Sequence, residues 1–83
     1  MRFLVNVYVT LKPTVNDPQG LTILGALHSL GFSSIRDVRA GKYIEIRLDE
    51  EERTKAEAQV REMGRKLLAN PVIEDFRFEV EKA

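Results

Sequence analysis

Few residues in this chain could do chemistry, and their spacing supports little of it. The one histidine, His28, would need a positioned nucleophile or an orienting carboxylate to act as a general base. The chain has no cysteine and no motif-supported serine to pair with it, so His28 reads as a histidine on the border of a helix stripe. Asp49-Glu50-Glu51-Glu52 has the composition of a metal cluster, but consecutive acids at a helix start are accounted for by capping and by the positive end of the helix dipole. No glycine-rich phosphate loop is present. Leu11-Lys12-Pro13-Thr14 also lacks the glycines that an acylphosphatase-like cradle after a first strand would need. The residues therefore predict no catalytic group and no metal ligand.

Polar handles are concentrated instead in connections. Thr10–Gly20 carries Lys12, Asp17 and Gln19; Arg39-Ala40-Gly41-Lys42 leads into Tyr43; Leu67–Asp75 carries Asn70. Taken alone, each segment reads as turn and cap chemistry. Loops are also where binding residues collect, so Lys12, Asp17, Gln19, Arg39, Lys42, Tyr43 and Asn70 are the candidate partner contacts.

The elements that must position them follow from periodicity. Phe3, Val5, Val7, Val9 and Leu11 alternate with Leu4, Asn6, Tyr8 and Thr10, which predicts a strand. Lys12-Pro13 ends it, because proline cannot donate to a ladder. Asp17 is placed as an N-cap with Pro18 in the first helical position. Ile23, Leu24, Ala26, Leu27 and Leu30 then form a helical stripe to Gly31, which suits a left-handed helix stop. A short strand is predicted over Ile35–Arg39, forming a hairpin with Tyr43–Leu48. Asp49 and Glu52 have capping-box spacing before a second helix over Glu50–Ala69, in which Ala56, Val60, Met63 and Leu67 share a face. Gly64 either weakens that helix or permits close packing. Asn70-Pro71 stops it, and Phe76, Phe78 and Val80 mark a last strand.

The order β-α-β-β-α-β predicts an α+β, ferredoxin-like domain with an antiparallel sheet and two helices on one face. The opposite face would carry Leu4, Tyr8, Tyr43, Glu45, Arg47, Arg77 and Glu79. Helices cover only one side, so this open face is expected to serve oligomerisation, with Leu4, Tyr8 and Tyr43 at a homodimer or dimer-of-dimers interface, the alternative being a solvated face of charge pairs that tolerates two tyrosines.

Composition bounds the rest. At 83 residues the chain forms one domain, residues 1–83, and a monomer of that size is marginal. Thirteen Lys and Arg balance thirteen Asp and Glu, which argues against nucleic acid. Gly41-Lys42-Tyr43-Ile44 faintly echoes an RNA-binding strand, but Tyr8 and Tyr43 are the only aromatics on the open face, and Glu45 and Glu79 would oppose phosphate. The lack of cysteine fits a reducing compartment. Apolar runs fall far short of a bilayer span, and no leader precedes Phe3, so no membrane association is expected.

Several runs together resemble the PurS family, the small subunit of phosphoribosylformylglycinamidine synthase (formylglycinamide ribonucleotide amidotransferase). They are Val7–Pro13, Asp17-Pro18-Gln19-Gly20, Ala26–Phe32, Val38–Glu45 and Lys66–Phe76, in the family's order and spanning nearly the whole chain. The resemblance implies a cytoplasmic, non-catalytic assembly subunit of an ATP-dependent carbon–nitrogen ligase in purine biosynthesis. It implies a dimer that joins a PurQ-type glutaminase to a PurL-type synthetase and supports ammonia transfer. ATP, Mg and glutamine would be used by the complex, with no cofactor in this chain. The alternative is a regulatory module of the same topology that binds a small molecule.

Overall fold

A computed structural model describes residues 1–83. Strand β1 (Arg2–Leu11) is followed by helix α1 (Pro18–Ser29), β2 (Gly41–Asp49), helix α2 (Arg53–Met63), a π-helical turn (Gly64–Leu68) and β3 (Glu74–Lys82). The sheet is antiparallel in the order β2-β1-β3. The most regularly alternating segment of the sequence thus became the central strand. The register pairs Val5 with Ile46 and Val80, and Tyr8 with Tyr43 and Arg77. Odd-numbered β1 residues therefore share one face with the apolar residues of both neighbours.

That face makes the core. Phe3, Val5, Val7 and Val9 are buried against Ala56 and Val60 of α2, with Ala69 and Val80; Ile44, Ile46, Leu48, Leu68, Phe76 and Phe78 pack around them half-buried. Area removed from water at these positions supplies the main stabilising term, at about 1.5–3 kcal/mol for each large side chain fully buried. The Arg53 guanidinium donates to the Val80 carbonyl and ties the start of α2 to β3. Gly64 has a packing role: a Cβ there would lie 2.2 Å from the Phe76 ring.

The fold class read from the sequence holds as an α+β chain with an antiparallel sheet and two helices. Three local expectations are corrected. The segment Ile35–Arg39 does not join the sheet, which β2 enters only at Gly41; both ends of the segment are tied elsewhere, with the Ile35 amide donating to the Phe32 carbonyl. The Ala40 amide donates to Asp17, Arg39 donates to loop carbonyls, and the Ile35 carbonyl meets the His28 ring. Asp49 does not cap α2, since it is still in the ladder opposite Arg2 and pairs with it; Glu52 holds the cap position without a side-chain bond. The second helix begins at Arg53 and turns π-helical at Gly64, where the Ala69 amide reaches the Gly64 carbonyl.

The first helix begins and ends as its residues dictate. Asp17 Oδ1 accepts from the Gly20 amide at 3.0 Å, with Pro18 in the first turn. At the other end Gly31 adopts φ +99°, while the Phe32 amide donates to Leu27 and the Gly31 amide to His28, the double closure of a Schellman motif. Only Gly20 of α1 is buried, so α2 alone builds the core over the sheet.

Candidate functional site

The C-terminal end of β1 is where the polar connections meet. Lys12 follows that strand; its amide donates to the Ile73 carbonyl at 2.8 Å and its Nζ lies 2.7 Å from Asp75. The carbonyls of Lys12 and Val15 both accept from Arg39 Nη2 at 2.9 Å. Asp17 is buried, and its two oxygens accept from the amides of Gly20 and Ala40. These amide donors, that of Gly20 foremost, hold its carboxyl below the usual aspartate range despite the opposing effect of burial. Glycine is required beside it, because a Cβ on Gly20 would stand 2.2 Å from the Val38 carbonyl oxygen.

The segment leaving the π turn closes the same end. Asn70 caps a tight turn: its carbonyl accepts from Ile73 and Glu74, and its Oδ1 from the Val72 amide at 3.0 Å. Glu74 accepts from the Asn70 amide at 2.7 Å and faces Lys42 Nζ at 3.9 Å. Glu74 is thus a linking residue that sequence reading missed, since its two partners come from elements far apart along the chain.

Four clefts mark the surface, and each borders this end. The largest, about 570 Å³, runs between Lys12, Asp75 and Phe76 on one side and Arg61, Glu62 and Arg65 on the other. Arg65 and Lys66 pair with Glu62 and hold its carboxyl below the usual range, the Arg65 hydrogen bond contributing most. A second cleft, about 380 Å³, opens between Tyr8, Lys42, Tyr43 and Arg77 on the open sheet face.

The structure therefore brings Lys12, Asp17, Gln19, Arg39 and Lys42 to one end, links Asn70 to them through Glu74, and sets Tyr43 at the adjoining face. Asp17 is buried and Arg39, though exposed, donates to carbonyls of its own chain, so both shape the loop, whereas Lys42 is exposed and Lys12 half-buried. His28 lies in the last turn of α1, away from these clefts.

Leu4, Tyr8 and Tyr43 fall on the face opposite α2, as the alternation requires. The Tyr8 and Tyr43 rings lie 5.3 Å apart, and Arg77 sits 4.1 Å above Tyr8, within cation–π range. The Tyr43 hydroxyl lies 2.8 Å from Asn6 Oδ1 and 3.0 Å from Glu45, and Asn6 Nδ2 donates to Glu81. Burial and the Glu79 carboxylate push the Tyr8 hydroxyl up; burial and Glu45 do the same to Tyr43. At neutral pH both phenols stay protonated and can donate.

Comparison with known proteins agrees with this architecture. The family profile described as "PurS: Phosphoribosylformylglycinamidine (FGAM) synthase" matches residues 4–82. Phosphoribosylformylglycinamidine synthase subunit PurS of Bacillus subtilis is 50% identical over 78 residues, covering 94% of this chain and 92% of that protein. A crystal structure of B. subtilis PurS superposes with a TM-score of 0.82 at 49% identity, over 96% of this chain and 99% of that one. A solved structure of PurLQS from Thermotoga maritima contains a chain that superposes at 0.90 with 28% identity, over 98% and 99%.

Proposed function

The chain belongs to the PurS family of phosphoribosylformylglycinamidine synthase, and on that premise we propose that it is the non-catalytic assembly subunit of that ligase. It bridges a PurL-type synthetase and a PurQ-type glutaminase and supports ammonia passage between them. The synthetase uses ATP with Mg, and the glutaminase uses glutamine; this chain contributes surface and spacing. The assembly works in the cytoplasm, and the subunit self-associates as a dimer or dimer of dimers, with Leu4, Tyr8 and Tyr43 on one of its contact faces.

The observation that carries this reading is the state of the polar groups at the end of β1. Asp17, Arg39 and Asn70 are committed to backbone partners of their own chain, and Glu74 links the Asn70 amide to Lys42. Groups held this way shape a surface rather than transfer protons. Lys42 and Arg77, both exposed, and Lys12, half-buried against Asp75, edge the surrounding clefts with cationic groups, which suits contacts with acidic side chains of partner subunits. No helix is long and apolar enough to cross a membrane.

The test is synthesis of the amidinated ribonucleotide by PurL and PurQ with and without this chain, glutamine and free ammonia being compared as nitrogen sources. The glutamine-driven rate should depend on the chain and the ammonia-driven rate should not. If neither rate responds, the assembly reading fails.

A further inference from the structure

In an unbroken α-helix, Leu67 would follow Ala56, Val60 and Met63 onto the face that packs on the sheet. Ala56 and Val60 are buried there, yet Leu67 is 83% exposed. The cause is the π-helical turn over Gly64–Leu68, in which the Ala69 amide donates to the Gly64 carbonyl five residues back. A turn closed in this way holds one residue more than an α turn. Leu68 therefore takes the inward place and packs against the core, and Leu67 is turned out. Single π turns collect at functional sites.

Leu67 is not alone. Past the turn, Val72 is 77% exposed and Ile73 39%, and Pro71 is exposed before them. None of these residues is free to fold inward, because the segment is fixed by its backbone. Asn70 Oδ1 accepts from the Val72 amide, the Asn70 carbonyl accepts from the Ile73 amide, and the Ile73 carbonyl accepts from the Lys12 amide. Apolar side chains held rigidly in water mark a contact surface. The cleft of about 570 Å³ opens between this segment and α2, lined by Ala69, Pro71 and Phe76 together with Arg61 and Arg65.

Charge around the patch is one-sided. Between Arg53 and Ala69 the chain has five Lys and Arg against two Glu, whereas the rest of it has eight against eleven acids. Glu57 is shared by Arg53 and Arg61, and Glu62 by Arg65 and Lys66. Each carboxylate thus answers two cations, and positive charge is left over. Arg61, Arg65 and Lys66 are all exposed.

We infer that Leu67 and Val72, bordered by Arg61, Arg65 and Lys66, form the surface on which one partner subunit of the synthase docks, that subunit offering an apolar socket rimmed by carboxylates. The inference rests on the assembly reading and adds to it a surface and its chemistry. A second copy does not fit, since a two-fold contact through this patch would set each cation cluster against itself. Nor does a membrane, because the apolar face of α2 is already packed on the core and no broad apolar face remains to lie in lipid. A bridge needs separate surfaces for its two partners, so this patch serves only one of them.

The test reads the concentration of chain that half-saturates glutamine-driven synthesis by PurL and PurQ. Leu67→Ser should raise it at least about tenfold, and Leu67→Met, which keeps the apolar volume, should recover most of that loss. Lys66→Glu should raise it as well. Added salt should weaken the native chain more than a variant carrying Arg61→Gln with Lys66→Gln. Circular dichroism verifies that each variant keeps its helices, and light scattering gives its mass. A native half-saturating concentration for Leu67→Ser and Lys66→Glu overturns the inference. So does a lower mass for Leu67→Ser, which would make the patch a contact between copies. If the native chain itself leaves the rate unchanged, the assembly reading fails and the inference falls with it.

Discussion

Asp17 and Ala40, 23 residues apart, are joined by a 2.7 Å hydrogen bond in which the Ala40 amide donates to Asp17 Oδ2. The other oxygen of the same carboxylate accepts from Gly20. One side chain thus caps α1 and fastens the segment that leads into β2, which sets the direction in which α1 leaves the sheet. A residue legible from sequence as an N-cap turns out to hold a tertiary joint as well.

This joint makes stability depend on pH in a defined sense. The Asp17 carboxyl titrates below its ordinary value because backbone amides hold its charged form. Its contribution is therefore full above the unfolded aspartate value of about 3.9 and is lost as pH falls through the lower folded value. Asp17→Asn keeps one acceptor and loses the charge. Urea midpoints should separate the variant from the native chain at pH 7 and converge as pH falls through the lowered folded value of Asp17. A gap that stayed constant down to the acid limit would contradict the assignment.

Arg39→Met should loosen the loop between β1 and α1 by removing both hydrogen bonds to the carbonyls of Lys12 and Val15. These carbonyls can be rehydrated, so the cost is about 1 kcal/mol, measurable by denaturant unfolding. In the reconstituted synthase, the glutamine-driven rate should fall several-fold while the ammonia-driven rate holds. Equal loss of both rates would count against a role in assembly.

For Gly64→Ala two effects oppose each other. Alanine favours helix by about 1 kcal/mol, but its Cβ would meet three Phe76 ring atoms at 2.2 to 2.6 Å, and overpacking costs about 1–3 kcal/mol. The expected net result is a loss of about 1 kcal/mol, restored by combining it with Phe76→Leu. A thermal melt in which Gly64→Ala alone raises the midpoint would show that the ring yields freely.

Tyr8→Glu places a third carboxylate beside Glu79 and Glu81 and breaks the stack with Tyr43 and Arg77. If the open face is a contact between copies, light scattering at low concentration should give a smaller mass than for the native chain, with helix content retained. An unchanged mass would remove this face from the self-association interface.

Much of this protein was decided by neighbours along the chain. The alternation of Phe3 to Leu11 made a strand, Asp17-Pro18 started a helix, Gly31 ended it with positive φ, and Asn70-Pro71 turned the chain, because each outcome depends on φ/ψ preferences and hydrogen bonds reaching only a few residues. The same runs also sufficed for family membership. Tertiary structure decided what these rules do not reach. Asp49 stayed in the ladder because Arg2 stands opposite it, and Gly64 was required because Phe76 arrives from β3. Residues 35–40 left the sheet as Asp17 engaged the Ala40 amide and His28 met the Ile35 carbonyl, while the Arg39 side chain donated to the carbonyls of Lys12 and Val15. Periodicity shows that α1 has an apolar face, but not which surface meets it, since that depends on the course of a chain whose joints are made between residues far apart in sequence.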